Sequence, residues 1–342
     1  MKARTLIMLS GLWLVACAPE SSDESSAESS DAPAQPPAQA APPAAPPPTA
    51  APAGPGGIPD TIVAARGGFI PEGIEYDLAN RRFLTGSLAE GSIFEIGIDG
   101  SVTPVVTDRE LVSTVGIEVD EPRDRILATN SDSSVFGGSG AGQAKLGVYG
   151  LTTGERLAMV DMGALLGDRD NAVFFANDVA VADDGTAYAT DTRQNVVYRV
   201  GTDYEASIFH EFPATENLAL NGIVYHPDGY LLIADLGNGA IYKMPIDDPS
   251  ATSLVSLPEP VAGADGMVWR ADGALAVVQN SATDGRVTAL ASDDGWASAE
   301  VVGVAPHMGQ ATTAAVVGDE IYTVQPHFAD QAPPTIHRAV FR

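Results

Sequence analysis

From residue 58 onward the chain is built of short apolar runs broken by tight turns, and Leu220–Met244, LNGIVYHPDGYLLIADLGNGAIYKM, shows the unit most clearly. Ile223 and Tyr225 mark one face of a first strand. Pro227-Asp228-Gly229 turns the chain, and Tyr230 to Ala234 runs back out to Asp235. Gly237-Asn238-Gly239 then leads into Ala240 to Met244. Period-two patterning punctuated by Asp-Gly and Asn-Gly turns predicts antiparallel hairpins rather than helix.

The unit recurs. Aligned on Asn221, copies open at Glu72, Val115, Asn177 and Asp265, with a weaker copy near Thr312, at steps of 43, 62, 44, 44 and 47 residues. The second and fourth residues after each opening are apolar: Ile74 and Tyr76, Ile117 and Val119, Val179 and Val181, Ile223 and Tyr225, Met267 and Trp269. Six meanders of about 40–50 residues predict an all-β fold, a six-bladed β-propeller of four-stranded antiparallel blades. One such blade cannot bury both faces, whereas six around an axis can. Thr61 to Ala65 and Thr335 to Phe341 are strand-like pieces at the two ends, expected to share the last blade and close the ring, because an open sheet edge invites aggregation.

Composition divides the chain into three. Residues 1–17 have Lys2 and Arg4 before a short apolar run, Thr5 to Leu14, too short to span a bilayer. Leu14-Val15-Ala16-Cys17 follows and resembles the lipobox of bacterial lipoproteins, which implies lipidation at Cys17, the only cysteine present. Ala18 after it resembles the outer-membrane sorting pattern, so the expected location is the bacterial cell envelope, with the membrane touched only through that anchor. Residues 18–57, first Ser/Glu/Asp-rich and then Pro/Ala-rich, predict a disordered, extended spacer. Residues 58–342 form the propeller, expected as a monomer. The net charge of −27 argues against nucleic acid, which needs clustered Lys and Arg. Most of that charge is a solvated acidic surface.

The opening residues carry the candidate chemistry. In a propeller the innermost strand of each blade lines the central channel, so the residue before it points into the channel mouth. Four of the six openings supply side-chain oxygen: Glu72, Asn177, Asn221 and Asp265. Calcium, or another divalent cation, accepts carboxylates, amide carbonyls and water together. Zinc fits less well, since no Cys or His stands in this register. Asn-Gly and Asp-Gly are also turn formers, but the hairpin turns are already supplied by Asp184-Gly185, Asp228-Gly229 and Asp272-Gly273. The sixth unit offers no donor. His307 and His327 lie near it as candidate substrate-binding or proton-shuttling groups. His226 beside a turn, and Asp191 and Asp235 at strand ends, read as structural. Residues 130–147, NSDSSVFGGSGAGQAKLG, read as an extended loop over one face, either a lid or a simple insertion.

Taken in order, Pro71-Glu72-Gly73, Asn177-Asp178, Asn221-Gly222 and Asp265-Gly266-Met267 resemble the openings of the senescence-marker-protein/gluconolactonase/luciferin-regenerating-enzyme family, over residues 68–330. Squid-type diisopropylfluorophosphatase and the paraoxonases share that six-bladed plan. The resemblance implies that Glu72, Asn221 and Asp265 bind calcium, that Asn177 contacts metal or substrate, and that Asp265 acts as base or nucleophile. The expected activity is hydrolysis of a small-molecule lactone, ester or related substrate. The alternatives are a non-catalytic, envelope-tethered propeller that binds a ligand or protein, and a strictosidine-synthase-like variant that has lost hydrolysis. Replacing Cys17 with Ser is expected to move the protein from the membrane to the soluble fraction; unchanged membrane association on fractionation would remove the anchor reading.

Overall fold

A computed structural model describes residues 57–342 apart from 139, 168, 170, 214, 216, 308 and 331. Cys17 and the spacer up to residue 56 lie outside the described residues. No α-helix occurs among them.

The strands make six small antiparallel sheets, one per sequence repeat. β1 (Thr61–Val63) precedes blade 1, which is β2 (Ile74–Asp77), β3 (Arg82–Thr85), β4 (Ile93–Ile96) and β5 (Val102–Val106). Blade 2 is β6 (Ser113–Asp120) and β7 (Arg125–Ser131), then, after the short β8 (Gly142–Gln143), β9 (Lys145–Gly150) and β10 (Arg156–Asp161). Blade 3 is β11 (Phe174–Val181), β12 (Ala187–Asp191), β13 (Val196–Val200) and β14 (Ala206–Glu211). Blade 4 is β15 (Leu220–His226), β16 (Tyr230–Asp235), β17 (Ala240–Pro245) and β18 (Ser253–Leu254). Blade 5 is β19 (Ala264–Trp269), β20 (Leu275–Gln279), β21 (Arg286–Ala291) and β22 (Glu300–Pro306). Blade 6 is β23 (Ala314–Val317), β24 (Glu320–Gln325) and β25 (Thr335–Ala339), with β1 as its outer strand. The two ends of the domain therefore meet, Thr61 opposite His337 and Val63 opposite Thr335. Arg338 reinforces the seam by pairing with Asp60 at 2.8 Å.

The apolar core is divided among the gaps between successive blades. Leu232, Ile241, Met267 and Val277 fill the gap between blades 4 and 5. Ile62, Ile74, Phe83 and Tyr322 fill the gap between blades 6 and 1. This is why the alternation is two-sided: odd positions of a strand face one neighbouring blade and even positions the other. Ile223 packs toward blade 3 and Val224 toward blade 5.

The inner strands β6, β11, β15 and β19 share one irregularity. Pairing with the second strand shifts between Thr114 and Ile117, Ala176 and Val179, Leu220 and Ile223, and Ala264 and Met267. The residues inside each shift are the openings found by aligning the repeats: Val115-Gly116, Asn177-Asp178, Asn221-Gly222 and Asp265-Gly266. A bulge re-aims side chains and bends the strand, and here it does so at the axis end of four blades.

One loop differs from expectation. Apart from residue 139, the excursion 130–147 is a clasp onto blade 3 rather than an open loop. β8 pairs in parallel with Phe174–Phe175 of β11, Ser131 Oγ donates to the Ala176 carbonyl at 2.6 Å, and the Phe136 and Phe175 rings meet edge-on at 4.7 Å. Its Val135 packs on Val115, the apolar opening of blade 2. Asp191 and Asp235 do serve turns: each carboxylate accepts three backbone N–H groups, from Phe175, Arg193 and Gln194 and from Ala219, Gly237 and Asn238. His226 stacks flat on Tyr230 at 4.4 Å, a packing role. Ile62 is 2% exposed at the seam, so Ile62→Ala should lower the unfolding free energy by about 2–5 kcal/mol; an unchanged urea midpoint would mean that the closing strand adds nothing.

Candidate functional site

Glycine lets the inner strands of blades 1, 2, 4 and 5 close on their neighbours. A Cβ on Gly73 would lie 2.4 Å from the Val115 carbonyl, and one on Gly222 2.3 Å from the Asp265 carbonyl. Adjacent blades thus touch backbone to backbone immediately after the opening residues. Gly73 N–H donates to the Val115 carbonyl at 2.9 Å, and Gly266 N–H to Thr312 at 2.8 Å. Thr312 Oγ1 donates to the Glu72 carbonyl at 2.6 Å, which joins blade 6 to blade 1. The opening residues are held by this ring.

A cavity of about 190 Å³ lies at this centre. Glu72, Asn221 and Asp265 line it, as the spacing of the repeats predicts. So do three carboxylates that the alignment passed over: Glu75, Glu118 and Asp178. No Lys, Arg or His is among the residues that wall it. Glu75 and Glu118 stand three residues after their openings, where the other blades carry Ala180, Val224, Val268 and Ala315. An acidic residue at a position otherwise apolar was the available sequence signal. Asp178 occupies the place that is Gly in blades 1, 2, 4 and 5, and its carboxylate bridges blades by accepting the Ile223 N–H at 3.1 Å and the Val179 N–H at 2.9 Å.

Asn177 is buried at the same level but does not line the cavity. Its Nδ2 donates to Thr192 Oγ1 at 2.8 Å, which commits the donor end of the amide and leaves Oδ1 as the free end. Asp265 Oδ2 accepts from Asn280 Nδ2 at 2.8 Å, and Gln310 Nε2 in turn donates to Asn280 Oδ1 at 3.3 Å. His307 and His327 are not among the residues lining the axial cavity. His307 lines a second cavity between blades 5 and 6, and His327 hydrogen-bonds Thr335.

The electrostatics follow from enclosure. Each carboxylate borders the narrow axial cavity yet is surrounded by protein on its other sides. Burial pushes the Asp265 carboxyl up to about 7, with Asp178 adding to the rise and the Asn280 and Asn221 amides opposing it. Burial lifts Asp178 to about 6 against its two backbone donors, and Glu75 to about 8 against the Tyr76 N–H. Glu72 is raised well above the usual range by burial and then by Asp265 and Asp178. Glu118 is raised by burial and then by Glu75, Asp178 and Asp120. Like charges without a counter-charge disfavour joint ionisation, and a cation would restore it.

The donor set lining the cavity fits a hard divalent cation: the Glu72 and Asp265 carboxylates and the Asn221 amide at the openings, with Glu75, Glu118 and Asp178 beside them. Among the described residues no three His, Cys, Asp or Glu side chains are grouped so as to hold a metal alone. Any such centre therefore depends on the amides and on water.

No protein-family model matches the sequence, and no curated protein matches it significantly. Solved structures do match in fold. A gluconolactonase from Xanthomonas campestris superposes with a TM-score of 0.59 at 16% identity, over 81% of this chain and 89% of that one. A luciferin-regenerating enzyme gives 0.60 at 12% identity, over 82% and 94%. A virginiamycin B lyase from Staphylococcus aureus gives 0.55 at 12% identity, over 80% and 81%. The fold is thus a six-bladed propeller of the kind found in gluconolactonase and luciferin-regenerating enzyme.

All five raised carboxyls bind protons more tightly folded than unfolded. In chelator, stability should therefore fall as pH rises from about 4, the unfolded carboxylate value, through about 8, the folded value of Glu75. Glu118→Gln should flatten part of that fall in melting temperature. A profile identical to wild type would show that the channel acids do not share one field.

Proposed function

We propose that this protein is a divalent-cation-dependent hydrolase, with calcium the best-fitting ion, acting on a small-molecule lactone or ester. The observation that carries the reading is the axial cavity, ringed by acidic and amide oxygens and free of any basic side chain in its wall. Glu72, Asn221 and Asp265 would hold the cation, with Asn177, which stands beside the cavity wall, contributing through its free Oδ1 only by way of water. The likeness to a gluconolactonase supports the substrate class, although the same fold also carries a lyase.

When bound, the cation supplies positive charge against the negative charge that develops on the substrate carbonyl oxygen. The chain's own residues do the rest. Asp265 has Oδ2 held by Asn280, and its carboxylate, bordered also by the Asn221 amide, would take a proton from the attacking water. The two-amide chain Gln310–Asn280 holds that carboxylate in one orientation. Ile117, Ile223 and Met267 belong to the apolar part of the wall, which limits competing water. The leaving oxygen of an opened lactone stays attached to the product, so the site needs no separate binding place for a leaving group. In this reading the enzyme is a monomer held on the bacterial envelope by a lipid on Cys17, with its substrate arriving by diffusion.

The test is hydrolysis of a lactone and ester panel with and without chelator, together with calorimetric calcium titration. Calcium should raise the melting temperature and support hydrolysis. Asp265→Ala should reduce kcat/KM by about a hundredfold or more. A protein that neither binds calcium nor hydrolyses any member of the panel would leave a ligand-binding propeller in its place.

A further inference from the structure

The second cavity, of about 220 Å³, lies between blades 5 and 6. β22 and β24 both run toward the end at which the inner strands begin, so the residues that follow them, His307 among them, stand on the same face as the axial site. The chemistry of its wall is the reverse of that site. His307, His337, Arg338, Gln325 and Thr323 line it with no carboxylate among the lining residues, in a chain whose net charge is −27.

Not all of its polar groups are satisfied. Both ring nitrogens of His307 are buried and make no hydrogen bond of normal geometry among the described residues, with only the backbone carbonyls of Gly309 and Arg286 near the ring. Gln325 is 5% exposed, and its side-chain amide bonds to none of them. Buried polar groups of this kind ordinarily find partners. Arg338 spends Nε on Asp60 and Nη1 on Glu320, which leaves Nη2 without a partner among the described residues. The other side of the cavity is apolar: Val287, Ala305 and Ala339.

We propose that this cavity is a second binding site, which takes a small organic carboxylate. The head group would accept from Gln325 Nε2 and the His307 N–H, near the Arg338 guanidinium. A short hydrocarbon tail would cover Val287, Ala305 and Ala339. The volume is below that of sites for drug-sized ligands, so only a few carbons fit behind the head. Inorganic phosphate satisfies the donors and leaves the apolar wall bare.

Binding is coupled to protons. His337 shares Nδ1 with Thr61 Oγ1 at 3.0 Å and Nε2 with Thr335 Oγ1 at 2.9 Å. His327 reaches the same Thr335 hydroxyl at 3.3 Å and lies 3.6 Å from Asp330. The other charged groups around the cavity are Arg286 on β21, turned to Gln279, and the acids Asp60 and Glu320, already held by Arg338. Burial holds His307 below the ordinary imidazole range, against the backbone carbonyls of Gly309 and Arg286. Burial and then His327 and His307 hold His337 below it as well. A bound anion favours the imidazolium form, so affinity rises as pH falls.

The experiment is calorimetric titration of the purified protein with butyrate and, separately, with inorganic phosphate, at about pH 5.5 and about pH 8. Butyrate is expected to bind about tenfold more tightly at the lower pH. Gln325→Leu and His307→Ala, each checked for native circular dichroism, should each weaken it by about tenfold or more. Asp265→Ala should leave it unchanged, which separates this site from the axial one. Absence of butyrate binding at both pH values would overturn the proposal and leave a hydrated cavity. Phosphate binding as tight as butyrate would overturn the organic-ligand assignment. Undiminished binding in Gln325→Leu, the substitution closest in shape, would overturn the location.

Discussion

Six sheets can share an axis only if their inner strands come within backbone contact, and that closeness governs the rest of the molecule. A methyl group at Gly73, Gly116, Gly222 or Gly266 would collide with the neighbouring blade. The contacts set the angular spacing of the blades, and with it the place of each opening side chain. Convergence then has an electrostatic result. Carboxylates brought from distant parts of the chain to one small volume are driven away from their usual ionisation by enclosure and by one another. The fold concentrates negative charge where it can least be solvated, and that makes the axis attractive to a positive ion. A second consequence is rigidity: each opening residue is flanked by hydrogen bonds that cross between blades.

Much of this was legible in the sequence because the determinants are periodic. Repeat length, alternation and the Asp-Gly turns mark out six like units, and the phase of Glu72, Asn221 and Asp265 against those turns brings them to one cavity. What stayed hidden lacked a periodic signature. Glu75 and Glu118 occupy positions that are apolar in the other blades, so averaging over repeats erased them. Asp178 replaces the glycine of four other units and was visible only as the second residue of the Asn177-Asp178 opening. The clasp at 130–147 was obscured by its Gly and Ser content, since its order comes from one β-bridge to blade 3 and from aromatic contact with Phe175, neither of which shows in local propensity. His307 and His327 were placed by nearness in sequence to the sixth opening. Strand direction brings them to that face, and lateral packing of blades 5 and 6 separates them from the axis.

The two cavities divide the molecule's polar chemistry by sign. One gathers acids at the centre of the ring; the other gathers imidazoles and a guanidinium in a side gap. On the blade 5 side of the axis, Asp265, Asn280 and Gln310 form one hydrogen-bonded chain.

The pairing of Thr61 with His337 spans 276 residues. During synthesis the growing chain is accordingly an arc with two bare ends, and its first blade has no partner on one side until the last strand has emerged. Such a topology folds late and is exposed to self-association while it waits. A chain cut short by a few dozen residues would leave that arc permanently open, with Phe83 and Ile74 facing water, so the C-terminal tail matters to the whole assembly far more than its length suggests.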